Sequence, residues 1–302
     1  MSRIGVVGSL NMDLIVQAEH IPAPGETILG SDLKTAAGGK GANQAVAAAR
    51  LGAEVTMVGR VGQDAYGDAL RGGLWKDRVE GKYVKRDDEA PTGVALIILN
   101  AEAQNAIVVS PGANRRLSPE DVAAAAGALR GMDVLVLQLE IPLETVTAAA
   151  RLAHDNGVRV VLNPAPARPL PPALLACVDD LILNETETEI LTGLPVKTEA
   201  ELQAAAERLL ELGVKQVVLT LGERGAMYIS RQERQRVPAF KVTAVDTTAA
   251  GDAFVGAFAV AMAEKQAPDA ALRFACAAGA CAVTRLGAQP SLPTLDEVRA
   301  LL

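Results

Sequence analysis

The sequence is poor in the residues that several functions demand. Aromatic residues make up 3% of the 302, and the formal net charge is −7. A nucleic-acid surface needs a basic field and aromatic platforms for stacking, so this composition argues against that class. With two histidines, His20 and His154, a histidine-built metal centre has little to draw on. The three cysteines, Cys177, Cys276 and Cys281, show no CxxC spacing, and an odd number does not make a disulfide framework. No apolar run reaches the roughly 18 residues that span a bilayer, and the opening MSRIGVVGS reads as a strand without a signal-peptide profile. The expectation is a cytoplasmic protein with no membrane and no nucleic-acid partner. What is present suits a small-molecule enzyme: half the residues are apolar and 22% are charged. The length can bury a large core, and no Pro/Gly/Ser-rich linker divides it, so a single domain over 1–302 with an insertion is expected.

The order of patterns predicts an α/β fold. Residues 4–8 form a continuous apolar run of the kind buried on both faces of a parallel sheet. From 118 onward, strands at 134–139, 158–163, 180–184 and 216–221 alternate with helices at 143–156 and 199–212. Such alternation implies a doubly wound, mostly parallel sheet flanked by helices. Two β-like excursions interrupt it. Residues 14–34 are broken by Pro22, Pro24, Gly25 and Gly30, and 92–110 read as a hairpin, TGVALIILN and NAIVVS, joined by AEAQ. Together they predict a small separate sheet whose Val- and Ile-rich edge strands need cover.

Candidate chemistry collects at strand ends, where open α/β sheets bind ligands. Asn11 and Asp13 follow the first strand and suit hydroxyl recognition, or they form a local Asx turn. Glu140 follows VLVLQL and either faces the same cleft as Asp13 or assists the next helix. Gly38-Gly39-Lys40-Gly41 turns into a helix at 42–51. It is no P-loop, because Gly41 stands where Ser or Thr would hold the metal. The glycines suit close approach of backbone to a compact polar ligand, with Lys40 and Asn43 as hydrogen-bonding groups. In AVDTTAAGDAFVGAF, Ala249, Ala250 and Gly251 lead into an apolar helix running to Ala263. The bare first-turn amides and helix dipole favour an anion there, yet Asp252 sets a carboxylate beside it. That conflict marks either function or a helix cap. Glu187 reads from the residues alone as dipole compensation, and Cys276 as core packing. Asp246 either caps its turn, with Arg285 as salt-bridge partner, or carries an ion. The glycine turn in VVLTLGERGA is uninformative by itself.

Two of these segments, AAGGKGANQAVAAAR at 36–50 and AVDTTAAGDAFVGAF at 244–258, resemble the paired signatures of the ribokinase family of carbohydrate kinases, in that family's order. The resemblance extends over 4–290. It implies a ribokinase-like α/β fold whose small sheet, about 14–36 and 91–110, is a lid over the sugar and the surface of a homodimer. It implies transfer of the γ-phosphoryl group of MgATP to a primary hydroxyl of ribose. In that reading Asn11, Asp13, Gly39, Lys40, Asn43 and Glu140 hold the sugar. Asp252 is the base, and the amides at Ala249, Ala250 and Gly251 form the anion hole. Asn184, Thr220, Gly222, Gly225, Gly251 and Cys276 approach the nucleotide, and Glu187 of the NxxE pattern orders Mg2+ through water. Asp246, Thr248, Ala282, Arg285, Gly287 and Ser291 enclose K+. NMD, GGKGANQA, LEIP and GAQPS fit the ribose-phosphorylating members better than kinases of adenosine, fructose or sugar phosphates. Alternatives are a kinase for 2-deoxyribose or fructose, and a non-catalytic sugar-binding regulator, which would have lost the base or the anion hole.

Overall fold

The computed structural model describes residues 1–100 and 105–302. Its thirteen strands are β1 (Arg3–Val7), β2 (Asn11–Gln17), β3 (Lys34–Gly38), β4 (Glu54–Gly62), β5 (Val79–Asp87), β6 (Gly93–Leu99), β7 (Asn105–Ser110), β8 (Val134–Leu137), β9 (Arg159–Leu162), β10 (Asp180–Asn184), β11 (Gln216–Thr220), β12 (Ala226–Ser230) and β13 (Arg234–Val237). Nine of them form one sheet in the order β13-β12-β11-β10-β9-β8-β1-β4-β5. The stretch from β11 to β5 is parallel, and β12 and β13 add an antiparallel edge. The apolar runs are explained by burial on both faces. In β8, Val134 and Val136 join one core layer while Leu135 and Leu137 join the other.

The expected doubly wound sheet is therefore present, with differences at the margins. Strands expected at 134–139 and 158–163 end at Leu137 and Leu162, so Gln138 and Asn163 stand just past the sheet. The edge strands β5 and β13 escape the sequence reading because they lack a continuous apolar run, β5 being VEGKYVKRD, and the interior strand β12 is missed although AMYIS is buried throughout. Helix Pro268–Ala282 and a capped helix Leu295–Leu301 follow the last strand.

β1 lies between β4 and β8, which receive the chain in opposite directions, so the crevice beyond its carboxyl end is the topological switch point. One layer over this crevice is made of small residues. Helix Ala250–Ala263 packs on helices Lys40–Arg50 and Pro268–Ala282, and a Cβ on Gly256 would lie 2.7 Å from that of Ala47.

The second sheet has the order β3-β2-β6-β7. It starts at Asn11 rather than 14, because the polar residues after β1 belong to β2. Asn11 and Asp13 are thus strand residues, which replaces the Asx-turn reading. Residues 18–33, with their prolines, contribute no strand. β6 and β7 pair antiparallel as expected for a hairpin, and its AEAQ connection lies outside the described residues. Leu14, Leu96 and Val108 align across this sheet.

Candidate active site

Asn11 pairs in register with Gly38 on one side and Gly93 on the other. Those glycines leave room for the polar side chains of β2. A Cβ on Gly38 would stand 2.3 Å from Asp13 Oδ2, and one on Gly93 would stand 2.3 Å from Asn11 Oδ1. Asn114 Nδ2 donates to Asn11 Oδ1 at 2.7 Å while Leu10 donates to Asn114 Oδ1 at 2.9 Å, which turns the Asn11 amide nitrogen outward as a donor. Gly39 and Gly41 also have a structural cause. Their missing side chains would collide with the backbone at Gly8–Asn11, so the glycines let the turn lie on the β1–β2 connection.

Glu140 is tied to that same connection. Its Oε2 accepts from Ser9 Oγ at 2.5 Å and from the Lys40 amide at 3.1 Å, so it serves the cleft rather than the following helix. Asp13 is pushed up to about 7, first by burial and then by repulsion from Glu140 and Asp252. Burial alone would lower the Lys40 ammonium, but Asp252, Glu140 and Glu187 outweigh it and raise its value. The cleft therefore holds four acids around one lysine, the negative charge exceeding what the protein itself neutralises.

Asp252 lies in the first turn of helix Ala250–Ala263 and is buried. Its Oδ2 accepts from Asn43 Nδ2 at 2.8 Å and its Oδ1 from Gln44 Nε2 at 2.9 Å, so its carboxylate is held from the side and does not fold back onto its own helix end. Ala249 caps the helix with φ 59°, a left-handed conformation that costs a non-glycine residue roughly 1–2 kcal/mol and is found where the surrounding structure enforces it. The Ala250 amide turns back to Thr247 O at 3.3 Å, and the first regular helical bond runs from Ala253 to Ala249. The amides of Gly251 and Asp252 are thus the ones left facing out, and a Cβ at Gly251 would meet nothing within 4 Å.

Asn184 and Glu187 form a reciprocal capping box: Glu187 N donates to Asn184 Oδ1 at 2.8 Å, and Asn184 N to Glu187 Oε2 at 2.9 Å. Glu187 thus stands in the first turn at the helix N-terminus, where burial pushes it up while the Asn184 amide and Lys40 pull it down. Thr220 ends β11 beside it. Gly225 has a structural cause, because a Cβ there would stand 2.0 Å from Val237 O; Gly222 meets no such neighbour. Cys276 sits in the core, where burial pushes its thiol up to about 12.

Asp246 organises a second cluster. Its Oδ1 accepts from Thr248 N at 2.9 Å and Oγ1 at 2.6 Å, and its Oδ2 from Gly287 N at 2.8 Å. Burial would raise its value, but these bonds hold it below the usual carboxylate range. Arg285 is not its partner, pairing instead with Glu297 at 2.9 Å. Among the described residues Asp246 has no cationic partner. Ala282 O accepts from the Arg285 amide at 3.3 Å, and Ser291 closes the loop onto Ala288 O at 2.8 Å.

Five polar residues of the site were not singled out from sequence: Ser9, Gln44, Asn114, Gln138 and Asn163. Gln138 and Asn163 carried a usable signal, an uncharged polar residue closing an otherwise apolar run.

A switch-point cleft with an acid at a bare helix N-terminus, beside a cluster of acids and amides, suits a phosphotransferase acting on a polyhydroxy compound. A profile described as "pfkB family carbohydrate kinase" matches residues 1–295, and the chain belongs to that family. It is 42% identical to a ribokinase of Haemophilus influenzae over 97% of this chain and 95% of that protein. It is also 42% identical to a deoxyribokinase of Salmonella typhi, over 97% of this chain and 96% of that one. The solved Arabidopsis thaliana ribokinase, complexed with ribose and ATP, superposes with a TM-score of 0.92 at 37% identity, covering 100% of this chain and 99% of that one. The protein is a carbohydrate kinase with the ribokinase-like fold.

Proposed function

We propose that the protein transfers the γ-phosphoryl group of ATP to the 5-hydroxyl of ribose. The observation that carries this reading is Asp252, a buried acid in the first turn of a helix whose leading amides face outward, held by two amide donors. It takes the proton of the sugar hydroxyl as that oxygen bonds to phosphorus and ADP departs. The outward amides around Ala249–Gly251, chiefly that of Gly251, stabilise the charge that develops on the transferring group. Asn11, Asp13, Gly39, Lys40, Asn43 and Glu140 hold the sugar; Asn184, Thr220, Gly222, Gly225, Gly251 and the neighbourhood of Cys276 hold ATP.

Mg2+ fits the site in its usual role with nucleotides, bound mainly by phosphate and water. No cluster of three or more His, Cys, Asp or Glu that could hold a metal occurs among the described residues, and Glu187, in the first turn after Asn184, would order the ion through water. When bound, the ion neutralises phosphate charge. A K+ ion fits the Asp246 loop, where a part-buried carboxylate lacks a cation and carbonyl-rich turns around Thr248, Ala282, Arg285, Gly287 and Ser291 are tied together. When bound, it offsets Asp246 and stiffens the 247–251 backbone.

The chain acts as one domain over 1–302, the small sheet closing over the sugar as its lid. Leu96 and Val108, cross-strand partners on one face of that sheet, are 50% and 66% exposed, an apolar pair that supports pairing with a second copy. No described helix is long and apolar enough to cross a membrane. The reading carries a cytoplasmic location, where ATP is held.

The similarity to a deoxyribokinase makes 2-deoxyribose the second reading for the substrate. ADP release measured with ribose, 2-deoxyribose, fructose, adenosine and fructose phosphates decides between them. A site built on Asp13, Asn43 and Glu140 rejects a sugar missing a bonded hydroxyl by up to ~10⁴ in kcat/KM. Ribose should lead, and equal values would refute recognition of the 2-hydroxyl. Ribose binding without turnover would favour a regulator. In the same assay, exchanging Na+ for K+ at constant ionic strength should raise the rate, and Asp246→Ala should erase the difference.

A further inference from the structure

Asp252 is connected to the far side of the cleft through a chain of buried amides. Gln44, which donates to Asp252 Oδ1 at 2.9 Å, accepts from Gln138 Nε2 at 2.6 Å. The same Gln44 Nε2 lies 3.2 Å from Asn163 Oδ1, and Asn163 Nδ2 donates to Ile182 O at 3.0 Å. A primary amide can turn either end to a neighbour, and only its network fixes which. Here the network leaves no choice. A main-chain carbonyl can only accept, so Ile182 O takes the nitrogen of Asn163, whose oxygen then faces Gln44. Gln44 must present its nitrogen to Asn163 and Asp252, and its oxygen to Gln138. Reversing any one amide would set oxygen against oxygen.

Gln44, Gln138 and Asn163 are 1%, 0% and 9% exposed, so water does not substitute for these bonds. Among the described residues Gln138 Oε1 is buried without a partner, in the space left by the absent side chain of Gly8, whose Cβ would stand 2.0 Å from it. An orphaned amide oxygen destabilises a fold, and an apolar residue there would not. Stability therefore does not explain Gln138. Among the described residues its side chain bonds to Gln44, whose nitrogen reaches the base.

We infer that Gln44, with its polarity locked by Gln138 and Asn163, is a positioning residue that fixes the plane of the Asp252 carboxylate and supplies one of its two amide donors. The inference rests on the reading of Asp252 as base. With Gln44 in place, Oδ1 and Oδ2 are each anchored by one amide, and a second lone pair on either oxygen receives the hydroxyl proton. Without it the carboxylate can rotate about its Asn43 bond, and its charged form loses a hydrogen bond.

The test compares Gln44→Met and Gln138→Met, which keep side-chain length and remove the amide. Gln44→Met should lower kcat by roughly 10–100-fold, the scale of a small misplacement of a reacting group, with the ribose KM within about threefold. Gln138→Met should give the same signature at smaller size, and decides the matter if Gln44→Met fails to fold. Unchanged kcat in a folded variant would overturn the inference. So would kcat and KM worsening together in step with a lowered Tm, the mark of a merely structural role. If Asp252→Asn stops turnover while both methionine variants match the parent, the base stands and the relay falls.

Discussion

Asp180 opens β10 at the amino-terminal end of the large sheet, and Asp13 lies beyond the carboxyl-terminal end of β1; they are 0% and 7% exposed. Arg159 grips Asp180 with two parallel bonds, at 2.6 and 2.9 Å, and also reaches Gln216. Nearby, Lys215 pairs with Asp179 at 2.6 Å and Arg3 with Asp133 at 3.3 Å. At this end each of these acids has a base of its own. At the other end Glu140, Glu187 and Asp252 share Lys40, while Asp13 is pushed up by burial and by its acidic neighbours. One end neutralises its charge internally, which serves the fold. The other leaves charge and hydrogen-bonding capacity for hydroxyls, metal-bound phosphate and a proton.

The comparison can be broken most strongly at Asp252. Asp252→Asn should lower kcat by on the order of 10²–10⁴ with ribose affinity within a small factor. Steady-state kinetics with a separate ribose titration checks this, and near-normal turnover would remove Asp252 from the mechanism. At the opposite end, Arg159→Met strands Asp180 as an uncompensated buried acid and should cost about 3–5 kcal/mol of stability. Denaturant unfolding reads that loss, while kcat per folded molecule should be unchanged. An altered kcat would mean that the two ends are not separate in purpose.

The smallest effect sharpens the contrast. Asp13 has a folded value of about 7 against 3.8 as reference, so its contribution to stability is present below the lower value and lost as pH rises through the upper one. Asp13→Asn should therefore raise the Tm of the sugar-free protein by a few degrees at about pH 8 and by clearly less at about pH 5. The same substitution should abolish the strengthening of ribose binding expected as pH passes through about 7. A Tm gain equal at both pH values would show that Asp13 is not held near neutrality by its neighbours.

Much of the site could be read without coordinates because its elements are local. GGKGANQA and DTTAAGDAF each set glycines, a helix start and a polar side chain within a few residues, and short-range sterics and capping act on that scale. The parallel sheet was legible for a similar reason, since double burial writes itself as apolar runs such as VLVL and LIL. The charged edge strand β5 carries no such mark. The Asx-turn reading at Asn11 and Asp13 gave way because strand pairing with β3 and β6 decides their conformation, and those partners are far away in the chain.

The sequence by itself determined the alternation of strands and helices, the helix N-terminus that precedes Asp252, and the acids and amides that stand at strand ends. Tertiary structure decided their partners. Whether Arg285 meets Asp246 or Glu297, whether Glu140 turns to the next helix or to Ser9, and which end of Gln44 faces the base depend on groups brought together only by the crossovers of the sheet. Hydrogen bonds and ion pairs act over a few ångströms in space and carry no trace of separation along the chain. A residue's type states what it can offer, and only the packed fold supplies what accepts it.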